Sequence, residues 1–437
     1  MEAIAEVLAK QAWRPLVFLY ATNTLDALLV YLACLDADIP ICLLEPNPAY
    51  MSRLVAHYQP TVLVLPPDYT PPGGYSRAQS LPGCAYAMHV LVPTQTPTPP
   101  NPALALLLQT SGSTGAPKLV RLTHDNVFSN ALAIAEYLDI TPDERGIQSL
   151  PMNYSYGLSL VNSHLVAGGC IVLTDHSFMR PEFWQDFNTH VCTSFAGVPF
   201  MYETLHRLRF EPSRHPSLRM MTQAGGKLRV DLVEEFYHKM RTSHGKFCVM
   251  YGQTEATARI AYVPPDRLGE KPGSIGIPIP GGRIELASVE GITDAHELVY
   301  HGPNVMMGYA ETSEDLQRGD DLHGVLHTGD LATVDAEGFH TIVGRLKRFA
   351  KLYGRRINLE DVEVDLEAAF SSRVAAIDGG DSKLIIYTEQ SNVQDLSTIR
   401  GYLAKHLGVS PTAIEVHKID AIPVTPSGKK DYMRLLS

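Results

Sequence analysis

The stretch LLQTSGSTGAPKLVRLTHDN at 106–125 crowds Ser111, Gly112, Ser113, Thr114 and Gly115 into one loop, with Thr110 before it and Lys118 after it. Small residues let backbone N–H groups approach an anion closely, hydroxyls add donors, and a lysine supplies charge. A triphosphate is the natural guest. Three further stretches carry groups of the same kind of chemistry. Glu255, in YGQTEATAR, is a hard oxygen ligand of the type magnesium takes. Asp330, in LHTGDL, can accept hydrogen bonds from sugar hydroxyls. Lys429 and Lys430 end the segment PVTPSGKK. Alone, each has an ordinary reading: a solvated turn, a solvated carboxylate, a common TGD turn, an exposed lysine pair.

A phosphate loop of the Walker type needs GxxxxGK followed at once by Ser or Thr to hold magnesium. Here Leu119 follows Lys118 and the glycine spacing differs. A P-loop kinase or ATPase is therefore disfavoured, and the order of the remaining stretches decides the matter.

In order, SGSTGAPK, TSFAGVPFMYETL, QAGGKL, YGQTEATAR, HELVYHGPNVMMGY, LHTGDL, VGRLKRFAKLYGRRINLEDVE and PVTPSGKKDY closely resemble the adenylate-forming enzymes, the superfamily of acyl-CoA synthetases, aryl and aminoacyl adenylation domains and luciferases. The likeness runs from about residue 15 to the end of the chain. It implies an ATP- and Mg2+-dependent enzyme that joins a small carboxylic acid to AMP, releases pyrophosphate and passes the acyl group to a thiol, of coenzyme A or of a separate acyl or peptidyl carrier protein. By resemblance the loop from Thr110 to Gly115, with Lys118, holds the departing pyrophosphate. Tyr251, Gly252, Gly225 and Gly226 line the nucleotide site, Thr254 lies near the phosphates, and Glu255 holds the metal. Asp330 and Arg345 reach the ribose, Lys347 is a hinge, and Gly354 admits a pantetheine arm. Lys429 is the lysine that a mobile small domain brings to the reacting carboxylate and α-phosphate, with Lys430 an inert neighbour. A cation placed there offsets charge that builds in the transition state, and losing one costs on the order of 10²-fold in rate.

The acid pocket is implied at Tyr154, Ser155, Phe195 and Gly197. In PMNYSYGLS, Tyr154 stands where many relatives carry histidine, and no aspartate is present to pair with an α-ammonium. An ordinary α-amino acid substrate is disfavoured.

Elements that position these residues follow from the pattern of apolar residues. PLVFLY, LDALLVYLACLDA and IPICLLEP have the rhythm of a βαβ unit, TVLVLP is a further strand, and VPTQTPTPPNP is a connector because repeated prolines remove donors and fix φ. Thr123 is a helix N-cap before Val127, Ala131, Ile134 and Leu138, which places the glycine loop between a strand and a helix. Glycine-rich short strands after about 270 suggest a β-subdomain, and LEDVEVDLEAAF, KLIIYT and LSTIRGYLAKHL a compact α+β tail. The expected fold is α/β: a large N-terminal domain, residues 1–345, with parallel sheets and a β-subdomain, and a small mobile α+β domain, residues 346–437.

Composition narrows the function classes. A net charge of −11 argues against a general polyanion binder, so neither nucleic acid nor an anionic membrane is an expected partner. The N-terminus is acidic and the apolar stretch near residue 30 is broken by Asp26, Asp36 and Asp38, so the expected location is the cytoplasm. Cys34, Cys42, Cys84, Cys170, Cys192 and Cys248, with no CxxC pair, read as buried reduced thiols. Alternatives are an amide-forming ligase built on the same adenylate and a catalytically silent nucleotide-binding homologue. Retention of Lys118, Thr254, Glu255, Asp330, Arg345 and Lys429 together speaks against the latter.

Overall fold

The computed structural model describes the chain apart from Arg77, Gly291, Lys347, Ser437 and residues 93–98, 110–117, 353–354, 381–382, 390–392 and 425–429. By internal contacts the chain forms two units, one made of Met1–Ile284 and Tyr300–Leu326, the other of Glu285–Val299 and His327–Ser437.

The first unit contains two sheets. Strand Val17–Tyr20 is buried on both faces, the pattern of a covered parallel sheet. Helix Leu25–Asp36, capped by the Thr24 side chain accepting from the Ala27 N–H, returns the chain to Ile41–Leu44, which pairs in parallel with Val17 opposite Ile41. Val62–Leu65 and Leu106–Gln109 extend this parallel centre on either side. Antiparallel strands complete an eight-stranded sheet: Leu119–Leu122 and Gly308–Ala310 at one end, Cys84–Val90 and Gln79–Leu81 at the other.

The segment carrying the glycine loop differs from expectation. Leu106–Gln109 and Leu119–Leu122 pair antiparallel with Gln109 opposite Leu119, so residues 110–117 connect two strands of a hairpin. The helix His124–Tyr137 begins only after the second strand, with Thr123 as its cap in a reciprocal capping box with Asn126. The strand–loop–helix order of a P-loop is thus absent.

In the second sheet Cys170–Val172, Arg145–Ile147, Ser194–Gly197, Met220–Gln223 and Lys246–Tyr251 run parallel, and Ala261–Tyr262 and Ile277–Pro278 add antiparallel strands. Helix Ser155–Val166 is buried on nearly every side, and its Leu158 and Val161 enter the core of the first sheet. An apolar helix without a wet face belongs in a protein interior.

In the second unit, a four-stranded sheet is built from Arg283–Val289, Ile292–His301, Val325–Val334 and His340–Arg345. A hairpin follows, Phe349–Leu352 with Arg355–Asn358. Next comes a three-stranded sheet, Val374–Gly380, Lys383–Thr388 and Ile414–Lys418, on which helices Leu359–Phe370 and Val393–Leu407 pack through Leu366, Leu384, Ile386, Ile399 and Leu403. The mixed α/β architecture, with parallel sheets, β-subdomain and an α+β tail, is the one expected. The break at residue 345 concerns which part turns, and it remains a proposal. One expectation about cysteines fails: Cys170 is exposed and Cys84 half-buried, because both flank loops at strand ends, while the other four are buried.

Candidate active site

Three parallel neighbours of the second sheet, Ser194–Gly197, Met220–Gln223 and Lys246–Tyr251, are in register with Gly197 opposite Gln223 and Gln223 opposite Val249. Their carboxyl ends therefore lie side by side, where ligands of open α/β sheets bind. Gly197, Gly225, Gly226, Tyr251, Gly252, Thr254 and Glu255 leave the sheet at this edge. Helix Ser155–Val166 starts there as well: the Ser155 and Thr254 hydroxyls share a hydrogen bond of 3.2 Å.

Close approach dictates two of the glycines. A Cβ on Gly252 would lie 1.9 Å from the Ala258 carbonyl oxygen. Gly225 has φ +85°, and a Cβ there would lie 2.4 Å from the Tyr154 hydroxyl. Tyr154 is thus wedged against the turn that follows Met220–Gln223. Burial pushes its phenol up to about 12, the positive charge of Arg259 opposing that shift. Phe195 is buried in a cluster with Phe183, Trp184 and Tyr202.

Glu255 sits in the 3₁₀ turn Thr254–Ala256, which is held from outside by Asn304. The buried Asn304 amide donates to the carbonyls of Ala256 at 2.8 Å and Arg259 at 2.9 Å, while its own oxygen accepts from the Tyr300 hydroxyl at 2.8 Å. The Thr257 hydroxyl donates to the Asn304 carbonyl at 2.8 Å. This accounts for HGPN in the sequence: its asparagine fixes the turn that presents the acidic residue.

Tyr309 is a site residue that sequence reasoning missed. Its hydroxyl donates to Glu255 Oε1 at 2.6 Å, and Lys118 Nζ lies 5.8 Å from the centre of its ring. Burial, then the Glu255 charge, raises the phenol well above its ordinary range, so it stays protonated and donating. Lys118 is paired with Glu311 at 2.5 Å. Lys118, Tyr309 and Glu255 thus form one connected set, brought together because Gly308–Ala310 pairs antiparallel with Leu119–Leu122. The signal was the final tyrosine of HGPNVMMGY, which no spacing rule ties to Glu255.

Glu255 fits magnesium. Magnesium is commonly held by one or two carboxylates with the remaining positions filled by phosphate and water oxygens. Glu255 has one oxygen occupied by Tyr309, and among the described residues no cluster of three or more acidic, cysteine or histidine side chains competes as a metal cage.

Within the second unit, Asp330 and Arg345 face each other across the antiparallel pair Val325–Val334 and His340–Arg345, with Arg345 Nε 2.9 Å from Asp330 Oδ1. Asp330 is 1% exposed, and its backbone N–H donates to the Thr328 hydroxyl at 3.1 Å. Farther along, Lys430 is fully engaged: its ammonium lies 2.9 Å from Glu363, 2.8 Å from Glu367 and 2.5 Å from the Val374 carbonyl. Arg348 at 2.7 Å and the Tyr432 hydroxyl at 3.0 Å also bind the buried Glu363. A β-bridge pairs Val424 with Lys430. Lys429 itself, Lys347, Gly354 and the loop from Thr110 to Gly115 lie outside the described residues.

The chain belongs to the family of AMP-binding enzymes, whose model matches residues 2–310. It is an adenylate-forming, AMP-forming acid–thiol ligase, as the ordered motifs imply.

Among its relatives, feruloyl-CoA synthase of Amycolatopsis sp is 29% identical over 75% of this chain and 68% of its own length. Sulfoacetate–CoA ligase of Cupriavidus necator is 29% identical over 86% of this chain and 73% of its own. In fold, the chain is similar to o-succinylbenzoate CoA synthetase from Bacillus subtilis, solved with ATP and magnesium ion: TM-score 0.75, 21% identity, covering 100% of this chain and 92% of that one. ATP-bound MatB from Rhodopseudomonas palustris gives a TM-score of 0.77 at 22% identity, covering 99% of this chain and 91% of that one.

Proposed function

We propose that this enzyme activates a small carboxylic acid with ATP and magnesium at the carboxyl edge of the second sheet, and then transfers the acyl group to the thiol of coenzyme A. The observation that supports this best is the junction of Ser155 with Thr254 and of Tyr309 with Glu255 at one sheet edge. The Ser155 and Thr254 hydroxyls lie beside the short turn that carries the Glu255 carboxylate.

In the first half-reaction a carboxylate oxygen bonds to the α-phosphorus and the bond to pyrophosphate breaks. Glu255 would hold the magnesium ion, whose positive charge would offset the negative charge of the phosphates and lower the repulsion met by the incoming carboxylate. Thr254 and Ser155 supply hydroxyls to the phosphates, and Tyr309 keeps Glu255 oriented. Tyr251, Gly225 and Gly226 form the adenine side, while Asp330, held by Arg345, accepts from the ribose. Residues 110–115 and Lys118 receive the leaving pyrophosphate, and Lys429 stabilises the charge on the α-phosphate. In the second half-reaction a thiol attacks the acyl carbon and AMP leaves. Residues 346–437, turning at Lys347, carry Lys429 away and give the thiol its path past Gly354. The relatives named as CoA ligases favour coenzyme A over a carrier protein as the acceptor, and a cytoplasmic location is part of the same proposal. Among the described residues no helix is long and apolar enough to cross a membrane.

Product analysis tests the reading. Acid-dependent formation of AMP and pyrophosphate is expected, and ADP with phosphate refutes it. Lys429→Ala should abolish acid-dependent pyrophosphate exchange while sparing transfer from a supplied acyl-adenylate. Equal loss of both steps refutes the swing of the small domain. Coenzyme A and a holo-carrier protein are compared as acceptors, and exclusive use of the carrier overturns the choice of coenzyme A.

A further inference from the structure

A cavity of about 270 Å³ lies between the second sheet and helix Ser155–Val166 and extends to the first residues of three strands, Ser194, Met220 and Lys246. Its wall includes Tyr156, Ser159, Phe195, Thr222, Met250 and Arg259. The chain order ties it to the candidate site: Tyr156 follows Ser155, Met250 precedes Tyr251, and Thr222 lies on the strand that leads to Gly225.

Arg259 is 3% exposed, yet no described carboxylate lies within ion-pairing distance of it. Its guanidinium stacks on Tyr156, 4.1 Å from the ring centre. Its side chain makes polar contact with the Tyr137 hydroxyl, with the Met250 thioether through Nε at 3.4 Å, and with the neighbouring Ala258 carbonyl through Nη1 at 3.3 Å. A guanidinium has five N–H donors and cannot shed its proton. Stacking on an aromatic face recovers only part of the cost of burying such a charge. The other acidic and basic groups on the cavity wall are Asp139, Glu144, His164, Arg219, His244 and Lys246; Glu144 accepts from the Thr193 hydroxyl and pairs with Arg219 at 3.6 Å, and burial holds the His164 imidazole below its ordinary range. No described carboxylate thus pairs with Arg259, and its positive charge is felt at Tyr137, Tyr154, Tyr156 and Cys248.

We propose that Arg259 is a specificity residue that takes a second anionic group, a carboxylate or a sulfonate, at the far end of the acid, so that the substrates are short acids with an anionic tail. This rests on the adenylation reading above. A planar fork of donors matches a carboxylate or sulfonate in bidentate fashion, and a site built around such a pairing rejects an analogue that lacks it.

The test compares acids of matched length ending in carboxylate, sulfonate or methyl, by acid-dependent pyrophosphate release and, separately, by the rise in melting temperature on binding. In the wild type, kcat/KM for anion-ended acids should exceed that for methyl-ended acids by roughly a hundredfold, as a charged hydrogen-bonded pair allows. Arg259→Met should collapse that ratio toward one, and Arg259→Lys should keep part of it. The carboxylate and sulfonate arms identify which anion is preferred. Equal turnover of methyl-ended and anion-ended acids by the wild type overturns the inference and leaves adenylation standing, with no variant needed. If no acid yields pyrophosphate but anion-ended acids alone stabilise the wild type, and not Arg259→Met, the adenylation reading fails and the anion site stands. An unchanged ratio in a folded Arg259→Met also overturns it.

Discussion

Tyr309→Phe isolates one atom of the metal-binding arrangement. The phenol hydroxyl donates to Glu255 Oε1 at 2.6 Å, while the ring under Lys118 is untouched by the change. A hydrogen bond to a charged group contributes about 1.5–3 kcal/mol when shielded from water. Tyr309 is 37% exposed, so water competes for the carboxylate, and a value near the lower end, about 1–1.5 kcal/mol, is appropriate. That corresponds to about a five- to tenfold weakening. It should appear as a higher magnesium concentration for half-maximal pyrophosphate exchange, with little change in the Michaelis constant for the acid. Titrating magnesium at saturating ATP reads it directly, and Glu255→Gln provides the limiting loss. A magnesium midpoint that is unmoved in Tyr309→Phe, beside a large effect of Glu255→Gln, would falsify the claim that the tyrosine orients the carboxylate.

Gly225→Ala should destabilise the protein by about 1–3 kcal/mol, from its positive φ and the Tyr154 hydroxyl in the way; in urea melts, combining it with Tyr154→Phe should cost less than the sum of the two single changes, and strict additivity would refute the clash. Lys430→Met leaves Glu363 to Arg348, Tyr432 and the Ala376 backbone N–H, and should cost about 2 kcal/mol, below the 3–5 of a fully broken buried pair; an unchanged melting temperature would show that this ammonium is not structural. His164 is held neutral because burial lowers its pKa from 6.5, so its contribution is complete above that value and is lost as pH falls, when the unfolded chain takes up a proton the folded one resists. His164→Gln should therefore flatten the fall in melting temperature below about pH 6.5, and an identical acid limb in both proteins counts against it.

Periodicity made the first βαβ unit, the Thr123 cap and the α+β tail legible, since each is decided by residues within one or two turns of each other. The strand Leu119–Leu122 was not legible, and Arg121 is the reason. Its charge reads as surface, yet the side chain is wholly buried, with Nη2 2.5 Å from Asp321 Oδ2 and Nη1 2.5 Å from the Arg318 carbonyl. Partners some two hundred positions along the chain turn an apparent loop residue into a core one, and no local pattern reports them. Tyr309 and Arg259 escaped for the same reason: one acts on a turn from another strand, and the other reads as the tail of YGQTEATAR until the cavity beside it is seen.

The antiparallel pairing of Leu106–Gln109 with Leu119–Leu122 bears on how the phosphates of the proposed nucleotide would be met. A loop that opens a helix can offer the helix N-terminus to an anion, but here the next element is a strand, and the next cation along the chain is Lys118. Its pairing with Glu311 does not disqualify it. The two side chains are 36% and 50% exposed, and an ion pair so open to water contributes only about 0–1 kcal/mol. A phosphate carries more charge than one carboxylate and can take Lys118 from Glu311 at small cost, whereas Lys430, bound by two carboxylates and a carbonyl, has no comparable freedom. Burial therefore separates the lysines that can answer a nucleotide from those that hold the fold.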